Sequence, residues 1–168
     1  MNNLQGGVKL KKIKITFIKE NVWAVAILLE DKAPQTCKLL WDAIEIPLEN
    51  YAIHAMFTGR ELSFPISYQK LDNEKALNIP TENQTVFPVP GDLIWNAYYA
   101  YQWQGVPHPV YDFGIFYGRD TRIFLPMGWR PSNHFGCIVE NLQEFAEICA
   151  NCQSEGKKLM KIERVEQP

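Results

Sequence analysis

His54, Thr58, Arg60 and Glu61 fall within one short stretch of the 168-residue chain. In an extended strand alternate side chains share a face, so His54, Thr58 and Arg60 point one way. Glu61 points the other way unless Gly59 bends the strand. A histidine beside a carboxylate is a proton-transfer pair, because imidazole titrates near neutral pH and the carboxylate orients it. His54 and Glu61 are therefore candidate catalytic residues, and Thr58 and Arg60 candidate ligand contacts. The competing reading of the four is a polar network that holds the rim of the fold.

A second group, Tyr117, Arg119, Arg122, Trp129, Arg130 and Asn133, comes from a strand end and the loops beyond it. A guanidinium offers paired donors and a flat ring offers a stacking face, which together suit a carboxylate, an amide or a ureide. Tyr117, Arg119, Trp129 and Asn133 are candidate ligand contacts, whereas Arg122 and Arg130 read as surface cover on neighbouring rings. Asn96, Tyr98 and Trp103 follow the turn Pro90-Gly91-Asp92 and border the same cleft. Asn96 and Tyr98 join the ligand-binding candidates, although aromatic residues in such places more often serve a core. Asp92 reads as a turn residue.

Cys149-Ala150-Asn151-Cys152 has the C-x-x-C spacing, but it falls late in a helix whose apolar stripe needs both positions. Redox pairs sit instead at helix starts, where the thiolate is stabilised. With one such pair and three scattered histidines no four-ligand zinc set assembles, so no structural metal is expected. H-E-x-x-H, nucleophile-elbow, P-loop and dinucleotide fingerprints are all missing, and no cofactor is expected.

The elements that must position these residues follow from periodicity. Residues 1–12 read as a flexible leader and 13–168 as one domain. Ile13, Ile15 and Phe17 alternate with polar residues, a turn falls at Glu20-Asn21, and residues 22–29 are continuously apolar, so 13–29 is an antiparallel hairpin. Pro34 opens a helix carrying Cys37, Leu40, Trp41 and Ile44 on one face. Strands are predicted at 51–57, 61–66, 93–98, 111–117, 122–125 and 135–139, a surface excursion at 67–85 and an ordered loop at 99–109. Asn141 and Glu144 predict a capping box for a second helix with Leu142, Phe145, Cys149 and Cys152 along its stripe and Gly156 at its end. Residues 158–165 alternate well enough for a last strand that pairs with the first.

Two helices among about eight strands in this order is the arrangement of cyclophilin, a closed antiparallel β-barrel. Ala33-Pro34-Gln35-Thr36-Cys37 is similar to the Pro-x-Thr helix start of cyclophilins. Ile53-His54-Ala55-Met56-Phe57-Thr58-Gly59-Arg60-Glu61, Pro90-Gly91-Asp92, Phe113-Gly114-Ile115-Phe116-Tyr117-Gly118-Arg119 and Phe135-Gly136-Cys137-Ile138-Val139-Glu140-Asn141-Leu142 resemble the cyclophilin-like family called domain of unknown function 3830. The resemblance spans residues 13–152 and implies the cyclophilin-like barrel, mainly β with two helices, without an established activity. True cyclophilins carry an Arg near a Phe and a Gln-Gly-Gly-Asp run; here Phe57-Thr58-Gly59-Arg60-Glu61 has no such run after it.

Composition narrows the classes. Hydrophobic residues are 46% and charged residues 21% of the chain, which is ordinary globular usage, and the formal charge is −2 with no basic stretch. Nucleic acid is not an expected partner, and no apolar run reaches the length of a membrane-spanning helix. A secretory signal is missing and four cysteines suit a reducing compartment, so a cytoplasmic protein is expected. The leading expectation is a cleft of the barrel that binds, or binds and transforms, a small amide-like or carboxylate metabolite. Two rivals stand beside it: peptidyl-prolyl isomerisation, with Arg60 as the substrate contact, and a non-catalytic interaction module using the aromatic loop at 99–103. A homodimer paired through such loops is also expected.

Overall fold

A computed structural model describes residues 10–103 and 105–165. The alternation at the start of the chain becomes β1 (Lys12–Phe17), whose Ile13, Ile15 and Phe17 are fully buried. A turn through Asn21 at φ 54 then leads into β2 (Val22–Leu28). Pro34 does open the first helix, α1 (Pro34–Ala43), where its missing N–H leaves nothing unsatisfied. The strands β3 (Leu48–His54) and β4 (Glu61–Ile66) follow, then α2 (Asn73–Leu77), β5 (Gln84–Thr85), β6 (Asp92–Tyr98) and β7 (Val110–Phe116). The chain ends through β8 (Phe124–Leu125), β9 (Gly128–Trp129), β10 (Ser132–Glu140), α3 (Leu142–Glu155) and β11 (Lys158–Arg164).

The strands run β2-β1-β11-β3-β4-β7-β6-β10, and β10 pairs back onto β2, so eight antiparallel strands close a barrel of the cyclophilin-like kind. Closure removes the free sheet edges that would otherwise invite association. The last strand does pair with the first, with Ile15 opposite Ile162. Side chains of one parity, including Phe64, Trp95, Tyr111, Phe113, Ile115 and Phe135, fill the barrel. The helices α1 and α3 add Cys37, Leu40, Phe145, Cys149 and Cys152 to this core, and the Phe17 and Phe145 rings lie 4.8 Å apart. Cys149 and Cys152 are therefore core residues, and burial raises both thiols above the usual range. Cys37, likewise buried, is pushed up to about 12.

Side chains of the other parity on β4, β7 and β6 point outward. There Ile94, Tyr98 and Phe116 form a second, smaller apolar cluster with Ile123 and Leu125 from the segment after β7. A barrel strand with apolar groups on both faces must be covered on its outside, and here the loops supply the cover. The turn at residues 89–92 forms as predicted: Asp92 N donates to Val89 O at 3.1 Å, and Gly91 sits at φ 101, which suits a residue without a Cβ. Asp92 also accepts from Val89 N at 2.9 Å and so serves the turn.

Several elements differ from the sequence reading. The predicted strand at 51–57 stops at His54, because the chain turns through 55–60 to enter β4. The excursion at 67–85 contains a third helix, α2, capped by the Asp72 side chain accepting from Lys75 N and anchored by buried Ala76. Residues 124–125 pair only with β9 in a two-stranded ribbon outside the barrel. The capping box at Asn141 does not form: at φ 59 its side chain turns away from the helix N–H groups and donates to Glu144 at 2.9 Å and Trp23 O at 2.8 Å. Of the predicted leader, residues 1–9 lie outside the described residues, and β1 already begins at Lys12.

Candidate functional site

The register between β4 and β7 sets Ser63 opposite Gly114 and Pro65 opposite Asp112, while β6 sets Asn96 opposite Asp112 from the other side. Pairing partners share a face, so Glu61, Ser63, Asp112 and Asn96 all project from the outer surface of the barrel. The β3–β4 turn, Trp103 and the segment carrying Ile123 and Leu125 wall this surface into a cavity of about 290 Å³. Ile53, Met56, Phe57, Trp103, Val110, Ile123 and Leu125 make it largely apolar, with a few polar groups converging. Trp103 is positioned by packing on Tyr98 at 5.2 Å between centroids and on Phe57 at 6.4 Å. A larger hollow of about 860 Å³ lies between α1 and α2, where four of its six charged lining residues pair off, Lys38 with Asp42 and Lys75 with Asp72. We place the site in the smaller one, where buried polar groups remain available.

Gly59 bends the chain at φ 95, and so brings Glu61 to the same side as Thr58, whose hydroxyl donates to it. Glu61 is only 3% exposed, and it fits because Gly114 across the ladder has no side chain: a Cβ there would lie 2.4 Å from Glu61 Oε1. Ser63 Oγ donates to Asp112 at 2.5 Å. Burial is the first cause that raises the Glu61 carboxyl well above the carboxylate range, and the nearby Asp112 charge adds to it. Burial likewise pushes Asp112 up to about 6, against the lowering effect of its bond from Ser63. Glu61 is fully enclosed and Asp112 half-buried beside it, so ionising both is opposed by their mutual repulsion, and among the described residues no cationic side chain pairs with either.

Asn96, 6% exposed, accepts from Ser132 Oγ at 2.5 Å through Oδ1, and among the described residues its amide nitrogen has no hydrogen-bond partner. Tyr98, 4% exposed, is covered by the Arg130 guanidinium at 4.4 Å from its ring, and its hydroxyl makes no hydrogen bond. Arg130 is itself occupied by the Ala97 carbonyl at 2.6 Å, so it holds the loop and not the cavity. His54 lines the cavity with both ring nitrogens engaged: Nδ1 with Ala55 O at 2.9 Å, and Nε2 with the Tyr117 hydroxyl at 2.7 Å. A carbonyl only accepts, so Nδ1 carries the hydrogen, and in the neutral ring Nε2 accepts from Tyr117. His54 is thereby a braced wall residue.

Of the residues read from the sequence, the structure brings His54, Thr58, Glu61, Asn96 and Tyr98 to one hollow, with Tyr117 behind His54. Arg60 lies elsewhere: it is exposed, its stem covers Gly118, and its charge acts on Tyr117. Arg119 is exposed beyond the end of β7. Trp129, 54% exposed, packs edge-on against Phe124 and Phe87 in the outer ribbon. Asn133 belongs to a different network. It donates to Thr36 Oγ1 and Pro80 O and accepts from Glu82 N, while the Glu82 carboxylate accepts from Gln35 N, Thr36 N and the Thr36 hydroxyl. That network caps the N-terminus of α1 with a carboxylate, a favourable place for negative charge. Asp112 and Ser63 were missed, although Asp112 is the one charged residue in an apolar strand and Gly114 two positions on marks a close approach.

No curated protein matches this chain in sequence. Solved structures that share its fold include McbB in complex with tryptophan (TM-score 0.66, 16% identity, covering 93% of this chain and 45% of that one), so the chain spans less than half the length of McbB. A hypothetical protein, AF2241 from Archaeoglobus fulgidus, aligns with TM-score 0.53 and 17% identity over 95% of this chain and 99% of that one. A cyclophilin-type peptidyl-prolyl cis-trans isomerase from Cryptosporidium parvum aligns with TM-score 0.50 and 13% identity over 95% and 100%. Residues 15–163 match the family described as protein of unknown function (DUF3830), and the chain belongs to that family.

Proposed function

We propose that the chain binds a small, nitrogen-bearing organic molecule of the amide-like class in the cavity on the outer face of the barrel. The observation that carries this reading is the nearly complete burial of Glu61 in a cavity whose Tyr98 hydroxyl and Asn96 amide nitrogen have no hydrogen-bond partner among the described residues. Buried polar groups are ordinarily satisfied within the fold, so groups left open around an apolar hollow suit a ligand's own polar atoms. An amide offers N–H donors to the carboxyls and a carbonyl to the Asn96 N–H. The carboxylate-ligand branch of the expectation loses its support, because Arg60 and Arg119 do not line the cavity and the polar groups that do include two acids. McbB, solved in complex with tryptophan, lends an analogy of fold and no more.

Prolyl isomerisation needs a guanidinium beside the bound proline amide, and Arg60 is turned away from this cavity, so that reading is the weaker. The test is thermal denaturation and calorimetry with a panel of small aryl and alkyl amides. A ligand at one hundred times its Kd stabilises the folded state by about 2.7 kcal/mol. Stabilisation that is lost in Asn96→Leu is the expected result; no stabilisation by any of the panel, or binding indifferent to Asn96→Leu, overturns the assignment.

A further inference from the structure

Resting on the reading of this cavity as the ligand site, and departing from it in the class of nitrogen, we infer that its preferred ligand is a cationic amine. The ammonium group sits among Glu61, Asp112, Tyr98 and Asn96, and an aromatic or branched apolar body lies against Met56, Phe57 and Trp103. The argument begins from charge. The cavity holds two carboxyl groups on adjacent antiparallel strands, each supplied with one neutral hydroxyl, Thr58 for Glu61 and Ser63 for Asp112. A buried acid pair inside a protein is ordinarily met by Lys or Arg, because two uncompensated charges in an apolar space repel and are poorly solvated. Here the groups that line the cavity with the pair are His54 from β3, braced by Tyr117 and Ala55, and Tyr98 from β6, whose phenol is kept neutral first by burial and then by the nearby Asp112. The Arg130 guanidinium lies over the Tyr98 ring and is held by the Ala97 carbonyl.

The second observation is independent of the acids. Tyr98 and Asn96 are each more than nine-tenths buried as residues, both line the cavity, and among the described residues neither the Tyr98 hydroxyl nor the Asn96 amide nitrogen makes a hydrogen bond. The phenol oxygen can accept from an ammonium, which has three donors to place; the Asn96 N–H groups are left for a carbonyl or hydroxyl on the same ligand. The aromatic wall suits the other end: Trp103 and Phe57 form an edge-to-face pair that presents ring surface to an apolar group. A cation entering this space supplies the missing counter-charge and lets the carboxyls ionise, so binding releases protons to solvent. Asp112, pushed up to about 6, makes the release large at pH 5 and smaller at pH 8. Affinity for the amine therefore rises with pH through that range, until the amine itself loses its proton.

The experiment is calorimetric titration of the full chain with a panel of primary arylalkylamines led by 2-phenylethylamine. Each is matched to its uncharged alcohol, its amide (phenylacetamide) and its carboxylate (3-phenylpropionate). At least one amine should bind more tightly than all of its matched counterparts, with proton release at pH 5 read from the dependence of heat on buffer. Asp112→Asn and Glu61→Gln keep shape and remove the ionised oxygen, and either should weaken the amine roughly thirtyfold while Arg119→Ala leaves it unchanged. Tyr98→Phe provides a third variant that keeps the ring packing should either acid variant melt early. If amides bind and no amine exceeds its amide, the inference fails and the amide reading stands. If nothing in the panel binds, both fail.

Discussion

Replacing Asp112 by Asn should make the protein more stable at neutral pH, and the size of the gain follows from where Asp112 lies. Its carboxyl is moved from an ordinary value of 3.8 to about 6 by burial on the outer face of β7. The folded state therefore binds its proton more tightly than the unfolded chain does. A group raised in this way contributes its full stabilisation below pH 3.8 and loses it as pH climbs toward 6, since the unfolded chain ionises first. At about 1.4 kcal/mol for each tenfold change in proton affinity, the full loss is about 3 kcal/mol, and water reaching the cavity reduces it to about 1–3 kcal/mol. Asn is nearly isosteric and can still accept from Ser63, so the variant forgoes that loss. It also relieves Glu61, whose ionisation is opposed by the Asp112 charge. Chemical denaturation at pH 4, 6 and 8 should find Asp112→Asn close to wild type at pH 4 and more stable by about 1–3 kcal/mol at pH 8. A difference that does not change with pH, or one that grows toward acid, would refute the claim that its surroundings raise this carboxyl's affinity for a proton.

Gly114→Ala forces a Cβ onto Glu61 Oε1 and should cost about 1–3 kcal/mol; in a Glu61→Ala background the cost should nearly vanish, which a double-mutant cycle measures as coupling. Asn133→Leu strips Thr36, Pro80 and Glu82 of their partner and should destabilise by about 2–4 kcal/mol without altering ligand affinity, because it breaks the cap of α1 and not the cavity. His54→Gln should loosen Tyr117 and cost stability by about 1 kcal/mol, yet leave amine binding within a fewfold if His54 is only a wall. The homodimer proposed from the aromatic loop at 99–103 is checked by light scattering: a solution mass twice 19.4 kDa supports it, and a monomer mass that persists at high concentration removes it.

The barrel was legible because its strands alternate strongly. Ile13, Ile15 and Phe17 in β1, and the pairing of the last strand with the first, follow from period and length alone, and the motifs around Gly59, Gly91 and Gly114 carried the family resemblance. The third helix was not legible, since α2 is only a short turn held by one Asp72 cap and one buried alanine, too brief to show a period. The ribbon of β8 and β9 looked like a barrel strand because its apolar residues cover the second cluster from outside.

The site was half legible for a comparable reason. Residues close together in sequence, His54, Thr58 and Glu61, line one hollow because the chain bends at Gly59, whereas Asp112 and Ser63 join them only through the β4–β7 register. Arg60, Arg119, Trp129 and Asn133 were chosen for side chains able to recognise a ligand, but their neighbours use them otherwise: Arg60 over Gly118, Trp129 between two phenylalanines, Asn133 as a hub between Thr36 and Glu82. Functional-looking chemistry in a sequence is assigned by contact partners, and those are set by long-range pairing.

The central claim, that the outer-face cavity is where this chain meets its ligand, is tested most directly by backbone amide NMR during titration with 2-phenylethylamine and phenylacetamide. The account expects saturable shifts concentrated at Glu61, Ser63, Asn96, Tyr98 and Asp112. Saturable shifts confined to the hollow between α1 and α2, around Lys38 and Asp72, would contradict it.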